Sequence, residues 1–192
     1  MNENVKVIHD QIVAFQTGLD PDYVISLINE VEKAGYFLDQ PGRPQETLYL
    51  PIVSRDLEIK TNKLRAVLQN SMLPVIFKYN ELFNLGNDFV LRPNFVVSRL
   101  NPGKDMYTHQ DDYDGYKSIE AIYYINEDYD GGEILFDDLK IKYKPKAGEM
   151  ICFPASILHS VPTVYKKDRY NVVIGYRHMD SLEYRYHEIK DV

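Results

Sequence analysis

The chain has 192 residues, 44% hydrophobic and 27% charged, which is enough to bury the core of one globular domain over residues 1–192. Its 29 Asp and Glu residues outnumber its 22 Lys and Arg residues, which argues against nucleic acid as the main partner and favours a basic or neutral substrate. The single cysteine, Cys152, excludes an internal disulfide, and its apolar neighbours predict a buried, inert thiol. Because no stretch resembles a signal peptide or a membrane span, we expect a cytoplasmic protein without a membrane partner.

The first elements in the chain are predicted to be short strands followed by a helix. Residues 5–17 are rich in β-branched and aromatic side chains, which is typical of one or two short strands. Asp20 and Pro21 then provide an N-cap and a first-turn proline for a helix that ends by Gly35. At helical spacing, its predicted buried residues are Val24, Leu27, Ile28 and Val31.

The next segment predicts a loop and a second helix. Residues 36–55 contain three prolines and little periodicity, and we interpret them as a loop with some extended structure. A helix is predicted from near Asp56, and Pro74 would end or kink it before a possible continuation to Phe83. Its predicted buried face consists of Leu57, Leu64, Val67 and Leu68. Residues 1–88 therefore predict a helical support region.

From residue 89 onward, short strands alternate with turn residues. The predicted strands span residues 95–100, 107–111, 119–126, 133–136, 139–143, 149–153 and 169–177. This pattern favours a sandwich or jelly roll over a parallel sheet with crossover helices. We therefore predict a mainly β fold with supporting α: a double-stranded β-helix (jelly roll) over residues 89–180, with the N-terminal helices packed on the sheet.

A candidate metal site lies in the stretch Tyr107-Thr108-His109-Gln110-Asp111. On an extended strand, His109 and Asp111 point to the same face with Cβ atoms about 6–7 Å apart, so both can reach one ion. A third ligand must come from a strand that folds alongside, and His159 is the candidate. Two histidines and one carboxylate form the facial triad of non-haem Fe(II) oxygenases, which leaves positions open for substrate and O₂.

The other histidines lack this context. His178-Met179-Asp180 repeats the H-x-D spacing, but only His187 follows it as a possible third ligand, and the remaining residues leave no room for another strand with a cation downstream. His9 is followed directly by Asp10, so the two side chains would leave a strand on opposite faces. We expect surface or structural roles for these three histidines.

The stretch 95–177 resembles the iron- and 2-oxoglutarate-dependent dioxygenases, specifically the prolyl 4-hydroxylase-like branch. The resemblance rests on H-x-D at His109 and Asp111, then His159, then the basic residue Arg169 ten positions further on. Further similarities to the family are Gly103, Ile122-Tyr123-Tyr124-Ile125-Asn126, Asp130-Gly131-Gly132-Glu133 and Phe136. The segment before residue 95 matches the family only in general layout.

The resemblance implies an enzyme that uses Fe(II), 2-oxoglutarate and O₂, and it adds ascorbate binding as an expectation. His109, Asp111 and His159 would be the catalytic metal ligands. Arg169 would bind the distal carboxylate of 2-oxoglutarate, because guanidinium offers a bidentate fork and stays charged when desolvated. Tyr124 resembles the family tyrosine whose hydroxyl reaches the same carboxylate, or it is simply a packed strand aromatic.

Strand alternation adds further expectations around Arg169. Counting by twos, the residues that share its inward face are Asn171, Val173, Gly175 and Arg177. Arg177 is the alternative anchor on that face. Lys166 and Lys167 lie nearer a turn and are expected to be solvated.

The sequence departs from the family pattern on the side where the substrate would bind. Arg99 and Leu100 stand where many members have a tyrosine, and Met106 replaces another. Gly175 stands where a tryptophan is common, and the chain contains no tryptophan. Collagen-type prolyl hydroxylases generally have a lysine at the position of Arg169, which is more similar to the oxygen-sensing prolyl hydroxylases. The resemblance therefore implies the cofactors of the family, whereas the substrate cannot be inferred from any single family member.

We expect decarboxylation of 2-oxoglutarate to succinate and CO₂, coupled to hydroxylation of a C–H bond, first of all in a prolyl residue of a peptide or protein. A free amino acid or other small molecule is the alternative substrate. A cupin-like metal-binding module without oxygenase activity is the alternative from another functional class. Arg169 argues against it, because a plain metal site does not require a buried cation. The loop 112–117, with Tyr113 and Tyr116, predicts either a mobile lid or an ordinary hairpin turn. The oligomeric state is left open.

Overall fold

A computed structural model describes residues 5–33, 38–39, 43–51, 59–86, 88–92, 94–111 and 118–178. Within these ranges lie two helices, α1 (Pro21–Glu32) and α2 (Ile59–Leu82). The strands are β1 (Val5–His9), β2 (Ile12–Gln16), β3 (Leu38–Asp39), β4 (Glu46–Pro51), β5 (Phe89–Leu91), β6 (Asn94–Leu100), β7 (Met106–His109), β8 (Ser118–Tyr124), β9 (Asp130–Gly131), β10 (Ile134–Phe136), β11 (Ile141–Tyr143), β12 (Glu149–Pro154), β13 (His159–Val161), β14 (Val164–Tyr165) and β15 (Arg169–His178). Neither described helix has the length and apolarity that a membrane span requires.

Two antiparallel sheets form the body of the fold. The larger sheet has the strand order β1-β2-β12-β8-β15-β6-β4-β3, with β5 also paired to β15. The smaller sheet has the order β11-β10-β13-β7, and β14 and β9 form a separate pair. Strands distant in sequence are neighbours in both sheets, as a jelly roll requires. The predicted fold class is confirmed.

The central strand β8 shows how the two cores are separated. All seven of its residues are buried, because one face meets the helices and the other meets the smaller sheet. Ala121 and Tyr123 belong to the core with α1 and α2, whereas Ile122 and Tyr124 belong to the core between the sheets. This alternation follows from the period of two along a strand. The helices therefore support the sheet from outside and leave its inner face to the cavity.

The sequence predictions for the N-terminal half are largely confirmed. Residues 5–17 form β1 and β2, and the carboxylate of Asp20 caps α1 by accepting from the backbone N–H of Asp22 at 3.0 Å. The four predicted α1 residues are buried, as are Leu64 and Leu68 of α2. Helix α2 continues through Pro74 to Leu82. The predicted helix start near Asp56, Leu57 and Gly35 lie outside the described residues.

Residues 36–55 were predicted to be a loop with some extended structure, and Glu46–Pro51 is an extended part of that range. This segment is strand β4, which pairs with β6 in the larger sheet from Glu46↔Arg99 to Pro51↔Asn94. The proline that discouraged a strand assignment stands at the last position of β4, where the loss of one N–H is tolerated. Long-range pairing with β6 gives this segment a strand structure that its local pattern did not show.

Candidate active site

Three of the predicted residues converge at the junction of β7 and β13. His109 is the last residue of β7, His159 is the first residue of β13, and the two are paired directly across the strands. Asp111 follows β7 by two residues, and its backbone N–H donates to the carbonyl of Ala155 at 3.0 Å. One ligand atom of each residue lies within 4.8 Å of the others, so a single ion can be reached by all three.

Backbone carbonyls orient both imidazoles. The Nδ1–H of His109 donates to the carbonyl of Tyr107 at 2.8 Å, and the Nδ1–H of His159 donates to the carbonyl of Ile157 at 3.0 Å. A carbonyl can only accept, so both Nδ1 atoms carry the proton and both Nε2 atoms are directed toward Asp111, at 3.9 and 3.4 Å. Outer hydrogen bonds of this kind are the usual support of metal-bound histidine.

The carboxylate of Asp111 is held in its charged form. Burial by itself raises the pKa of Asp111, but the hydrogen bond to His159 and the positive charges of His159, His109 and Arg92 leave that pKa below its usual value. A metal ligand must be deprotonated, so this environment suits a cation. The donor set of two imidazoles and one carboxylate fits non-haem Fe(II).

The triad opens into a cavity of about 430 Å³ between the two sheets, which lies in the usual range for small-molecule sites. Its apolar wall includes Ile122 and Val173 from the larger sheet and Ile134 and Val161 from the smaller one. Tyr49 and Tyr107 line its mouth as exposed aromatic side chains. The cavity therefore has an apolar wall and an open, aromatic rim.

Arg169 lies buried at the closed end of this cavity, with 4% of its surface exposed. Its Nε–H donates to the carbonyl of Gly132 at 3.0 Å, and its Cζ lies 5.0 Å from the ring centroid of Tyr124 and 6.0 Å from that of Tyr129. No carboxylate in the described part of the chain lies within ion-pair distance of it. A buried guanidinium without a counter-charge is costly, so the pocket is suited to an incoming anion.

Unpaired polar atoms surround this guanidinium. The hydroxyls of Tyr124 and Tyr129 and Oδ1 of Asn171 are buried and have no hydrogen-bond partner among the residues that the structure describes. Burial raises the pKa of both phenols, while the charge of Arg169 opposes that rise, so each hydroxyl remains a proton donor. Buried polar groups are normally paired, and a carboxylate would accept from these hydroxyls and from Arg169 together.

The two glycines that precede Glu133 have a structural reason to be there. Gly131 and Gly132 have φ values of +65° and +62°, which other residues rarely adopt. A Cβ on Gly131 would lie 2.1 Å from the carbonyl oxygen of Thr163. This tight segment places the carbonyl of Gly132 where it accepts from Arg169.

The remaining predicted residues fall on both sides of the cavity wall. Asn171, Val173 and Arg177 line the cavity with Arg169, as the count by twos predicts. Lys166 and Lys167 are exposed and pair with Asp130 and Asp128, as expected for solvated lysines. Cys152 is fully buried, and burial raises the pKa of its thiol, as expected for an inert residue. His9 is exposed and faces Asp10.

Two charged residues of the site were not predicted from the sequence. Arg92 lines the cavity, and its Nη2 lies 2.7 Å from Oε1 of the fully buried Glu120. A signal was available, because Glu120 is the one charged residue in the otherwise uncharged, buried strand Ser118–Tyr124. The proposed lid at 112–117, His187 and the carboxylate of Asp180 lie outside the described residues.

The sequence model of the 2OG-Fe(II) oxygenase superfamily matches residues 95–177, the region that carries the triad and Arg169. This region is a 2OG-Fe(II) oxygenase domain. The predicted assignment to a 2-oxoglutarate-dependent dioxygenase family, with Fe(II), 2-oxoglutarate and O₂ as its cofactors and co-substrates, is confirmed. A comparison with curated protein sequences finds no match.

Solved structures share the fold of this oxygenase domain and its support region. A viral collagen prolyl hydroxylase from Paramecium Bursaria Chlorella virus-1, in its 2OG complex, has a TM-score of 0.67 at 19% identity, covering 91% of this chain and 100% of that one. A prolyl-4-hydroxylase from Pseudomonas putida gives 0.62 at 18% identity, with 87% and 92% covered. A prolyl hydroxylase from Trichoplax adhaerens, in complex with a hypoxia inducible factor peptide, gives 0.70 at 16% identity, with 89% and 85% covered. At these identities the likeness establishes the fold.

Proposed function

We propose that this dioxygenase hydroxylates a prolyl residue in a peptide or protein and converts 2-oxoglutarate to succinate and CO₂. His109, Asp111 and His159 would bind the Fe(II), and Arg169 would bind the distal carboxylate of 2-oxoglutarate. The observation that carries the proposal is the presence of both features in one cavity: a three-ligand cluster and a buried arginine without a carboxylate partner among the described residues.

The residues of the chain bind, orient and shield the reactants. The carbonyls of Tyr107 and Ile157 fix the imidazoles, so the three ligands are held on one side and leave the cavity side open. Bound Fe(II) supplies the redox chemistry that couples decarboxylation to hydroxylation. Ile122, Ile134 and Val173 form an apolar wall that excludes water from the reacting atoms.

The hydroxyl of Tyr124 supports the placement of 2-oxoglutarate at the closed end. This hydroxyl is buried and unpaired, and its ring lies against Arg169. A carboxylate bound between Arg169 and Tyr124 would satisfy both groups, with charge-assisted hydrogen bonds from the guanidinium. We propose Tyr124 as a second contact to the co-substrate.

The mouth of the cavity supports a peptide as the substrate. Tyr49 and Tyr107 are exposed there, and aromatic side chains at a rim are typical of surfaces that bind peptides and proteins. Three structural neighbours are prolyl hydroxylases, and one of them was solved with a peptide. A proline presented on a peptide would enter past this rim toward the triad.

The test is reconstitution of the full chain with Fe(II) and 2-oxoglutarate under anaerobic conditions, followed by exposure to oxygen with a panel of proline-containing peptides. We expect one oxygen atom to be added to a proline of a substrate peptide, detected by mass spectrometry, with one succinate formed per hydroxylation. Free amino acids in the same panel distinguish the small-molecule alternative. Oxidation that does not require 2-oxoglutarate would contradict the proposal.

A further inference from the structure

Arg92, Gly175 and Glu120 form one row across the larger sheet, next to the triad. Gly175 of β15 is the direct partner of Glu120 on β8, and the backbone N–H of Arg92 donates to the carbonyl of Gly175 at 2.8 Å. The side chain of Arg92 lies over Gly175 and reaches Glu120. Its Nη2 also donates to the backbone carbonyl of Asp111 at 2.9 Å. The row therefore connects the cavity mouth to a triad residue.

The missing side chain at residue 175 is what makes room for this arginine. A Cβ on Gly175 would lie 2.5 Å from Nε of Arg92 and 2.6 Å from Oε1 of Glu120. Gly175 does not have the left-handed φ that favours glycine, so space rather than backbone conformation accounts for the residue. The guanidinium occupies the position that a larger side chain at 175 would fill.

Glu120 fixes Arg92 without using all of its donors. The carboxylate is fully buried, so the ion pair with Arg92 offsets part of its loss of hydration and holds Arg92 in place. A guanidinium has five N–H donors, and the contacts to Glu120 and Asp111 both use Nη2. The side chain of Arg92 is 32% exposed and lines the cavity. Within the described part of the chain, Nη1 and Nε therefore have no contact of their own and can serve a ligand, in an orientation set in advance.

The charge of the cavity is opposite to that of the whole chain. The described lining includes Arg43, Arg92, Arg169 and Arg177, with Asp111 as its one acidic residue, although the chain has a net charge of −7. The charges of Fe(II), Asp111, 2-oxoglutarate and Arg169 cancel one another. Among the described residues of the lining, Arg43, Arg92 and Arg177 then remain, with Glu120 beside Arg92. The preference for a basic or neutral substrate, inferred from net charge, does not apply to this surface.

We infer that the mouth of the cavity is an anion-binding subsite in which Arg92, seated on Gly175, receives a carboxylate of the substrate. This inference rests on the proposed function and names its substrate class: a target residue with a carboxylate beside it. The carboxylate comes from an acidic side chain next to the target proline or from the α-carboxylate of the target itself. Arg43 and Arg177 add positive potential that attracts such a substrate.

Binding can be measured without turnover, with the full chain loaded with Mn(II) and 2-oxoglutarate in the absence of oxygen. The probes are capped peptides with one proline flanked by Glu or by Gln, and a second pair of free L-proline and prolinamide. We expect the member with the carboxylate to bind about tenfold tighter or more in at least one pair. The difference should shrink as salt is added, because the site is partly exposed. Equal binding within both pairs would overturn the inference.

The matched variant is the double substitution Arg92→Met/Glu120→Gln, which removes both charges and leaves no buried carboxylate stranded. It should reduce the preference for the carboxylate probe to less than about threefold. Because both members of a probe pair meet the same metal site, this ratio does not depend on any effect of the substitution on Asp111. Gly175→Ala should have the same effect by displacing the guanidinium. A full preference retained in both variants would show that Arg92 is not the receptor.

Hydroxylation of the same peptides separates this inference from the proposed function. Hydroxylation at equal rates on the Glu and Gln peptides, with no preference for L-proline over prolinamide, would leave the proposed function standing and overturn the subsite. Charge-selective binding without oxygen transfer to any probe would support the subsite and overturn the prolyl hydroxylase proposal. A preference confined to L-proline would support the subsite and assign the carboxylate to the target itself.

Discussion

Each end of the cavity contains an arginine, but the two arginines differ in whether a carboxylate of the protein balances their charge. Arg169 at the closed end is buried and has no carboxylate partner among the described residues, whereas Arg92 at the mouth is 32% exposed and rests on Glu120. A buried charge without a counter-charge in the protein is costly unless the bound ligand always carries the opposite charge. The closed end therefore suits a co-substrate that is the same in every cycle. The mouth, already neutralised in part and still hydrated, suits a substrate that must enter and leave.

One strand sets both environments. Strand β15 begins with Arg169 at the closed end and reaches Gly175 beside the triad, with every second residue on the cavity side. The two ends should therefore respond independently to substitution, while both depend on the metal between them. The substitutions below test that independence, from the largest expected effect to the smallest.

Removal of the metal ligand shared by both ends should have the largest effect. Asp111→Ala eliminates the one negative ligand, and we expect metal affinity to fall by more than about 100-fold and 2-oxoglutarate turnover to be lost. Metal binding by calorimetry and succinate formation are the measurements. His9→Ala is the control, because His9 is exposed and outside the cavity. Succinate formation at the wild-type rate in Asp111→Ala would contradict the ligand assignment.

Arg169→Ala should weaken 2-oxoglutarate binding at the closed end and leave metal binding intact. Losing one member of a buried charge pair costs about 2–5 kcal/mol, which corresponds to roughly 30-fold to several-thousand-fold in 2-oxoglutarate affinity. Arg169→Lys should fall between, because it keeps the charge and loses the bidentate fork. Calorimetry with Mn(II) in place of iron measures both affinities, and Mn(II) binding should be almost unchanged.

Two controls make the Arg169 result specific. Lys167→Ala removes an exposed cation that pairs with Asp128, which should cost less than about 1 kcal/mol and leave 2-oxoglutarate binding intact. Arg177→Ala tests the alternative anchor on the same face of β15. If Arg177→Ala rather than Arg169→Ala abolishes 2-oxoglutarate binding, the two ends of the cavity have been assigned in reverse.

The two ends of the cavity differ in how well their residues could be predicted from the sequence. The triad and the closed end were predictable because their groups lie at fixed spacings in the sequence: His109 and Asp111 are two residues apart, and Arg169 starts a strand whose alternate residues line the cavity. Local rules of strand geometry suffice for such a set. The core strands and helix α1 followed from the same periodicities.

The mouth was not predictable in this way, because it depends on contacts between distant segments. Arg92 follows the short strand β5 and reaches Glu120 only because β5 and β8 both pair with β15. Strand β4, which carries Tyr49 to the rim, was predicted only as part of a loop with some extended structure, because its pairing with β6 is long-range. Glu120, the single acidic residue in a buried strand, was the only local signal in the sequence. It indicates that a positively charged partner lies nearby, but not which residue that partner is.

A smaller effect is expected from Tyr124→Phe, with opposite signs on stability and binding. The hydroxyl is buried and unpaired without ligand, so its removal should leave the free energy of unfolding unchanged or raise it slightly. If the hydroxyl donates to 2-oxoglutarate, affinity should fall by about 0.5–1.5 kcal/mol, roughly two- to tenfold. Denaturant unfolding and calorimetry measure the two quantities. Unchanged affinity would mean that Tyr124 is only a packed aromatic.

Tyr107→Ala should have the smallest effect on the closed end, although Tyr107 is two residues from a proposed metal ligand. Its side chain is 59% exposed at the mouth, and its ring lies edge-on to the His109 imidazole with the centroids 5.6 Å apart. The hydrogen bond from His109 is accepted by the backbone carbonyl, which alanine retains. We expect 2-oxoglutarate affinity to change by less than about twofold and the free energy of unfolding by less than about 0.5 kcal/mol. Peptide affinity should fall by about fivefold, near 1 kcal/mol, because an aromatic rim contact is lost. Both affinities can be measured in the Mn(II)-loaded protein. A tenfold loss of 2-oxoglutarate affinity would show that the mouth and the closed end are coupled.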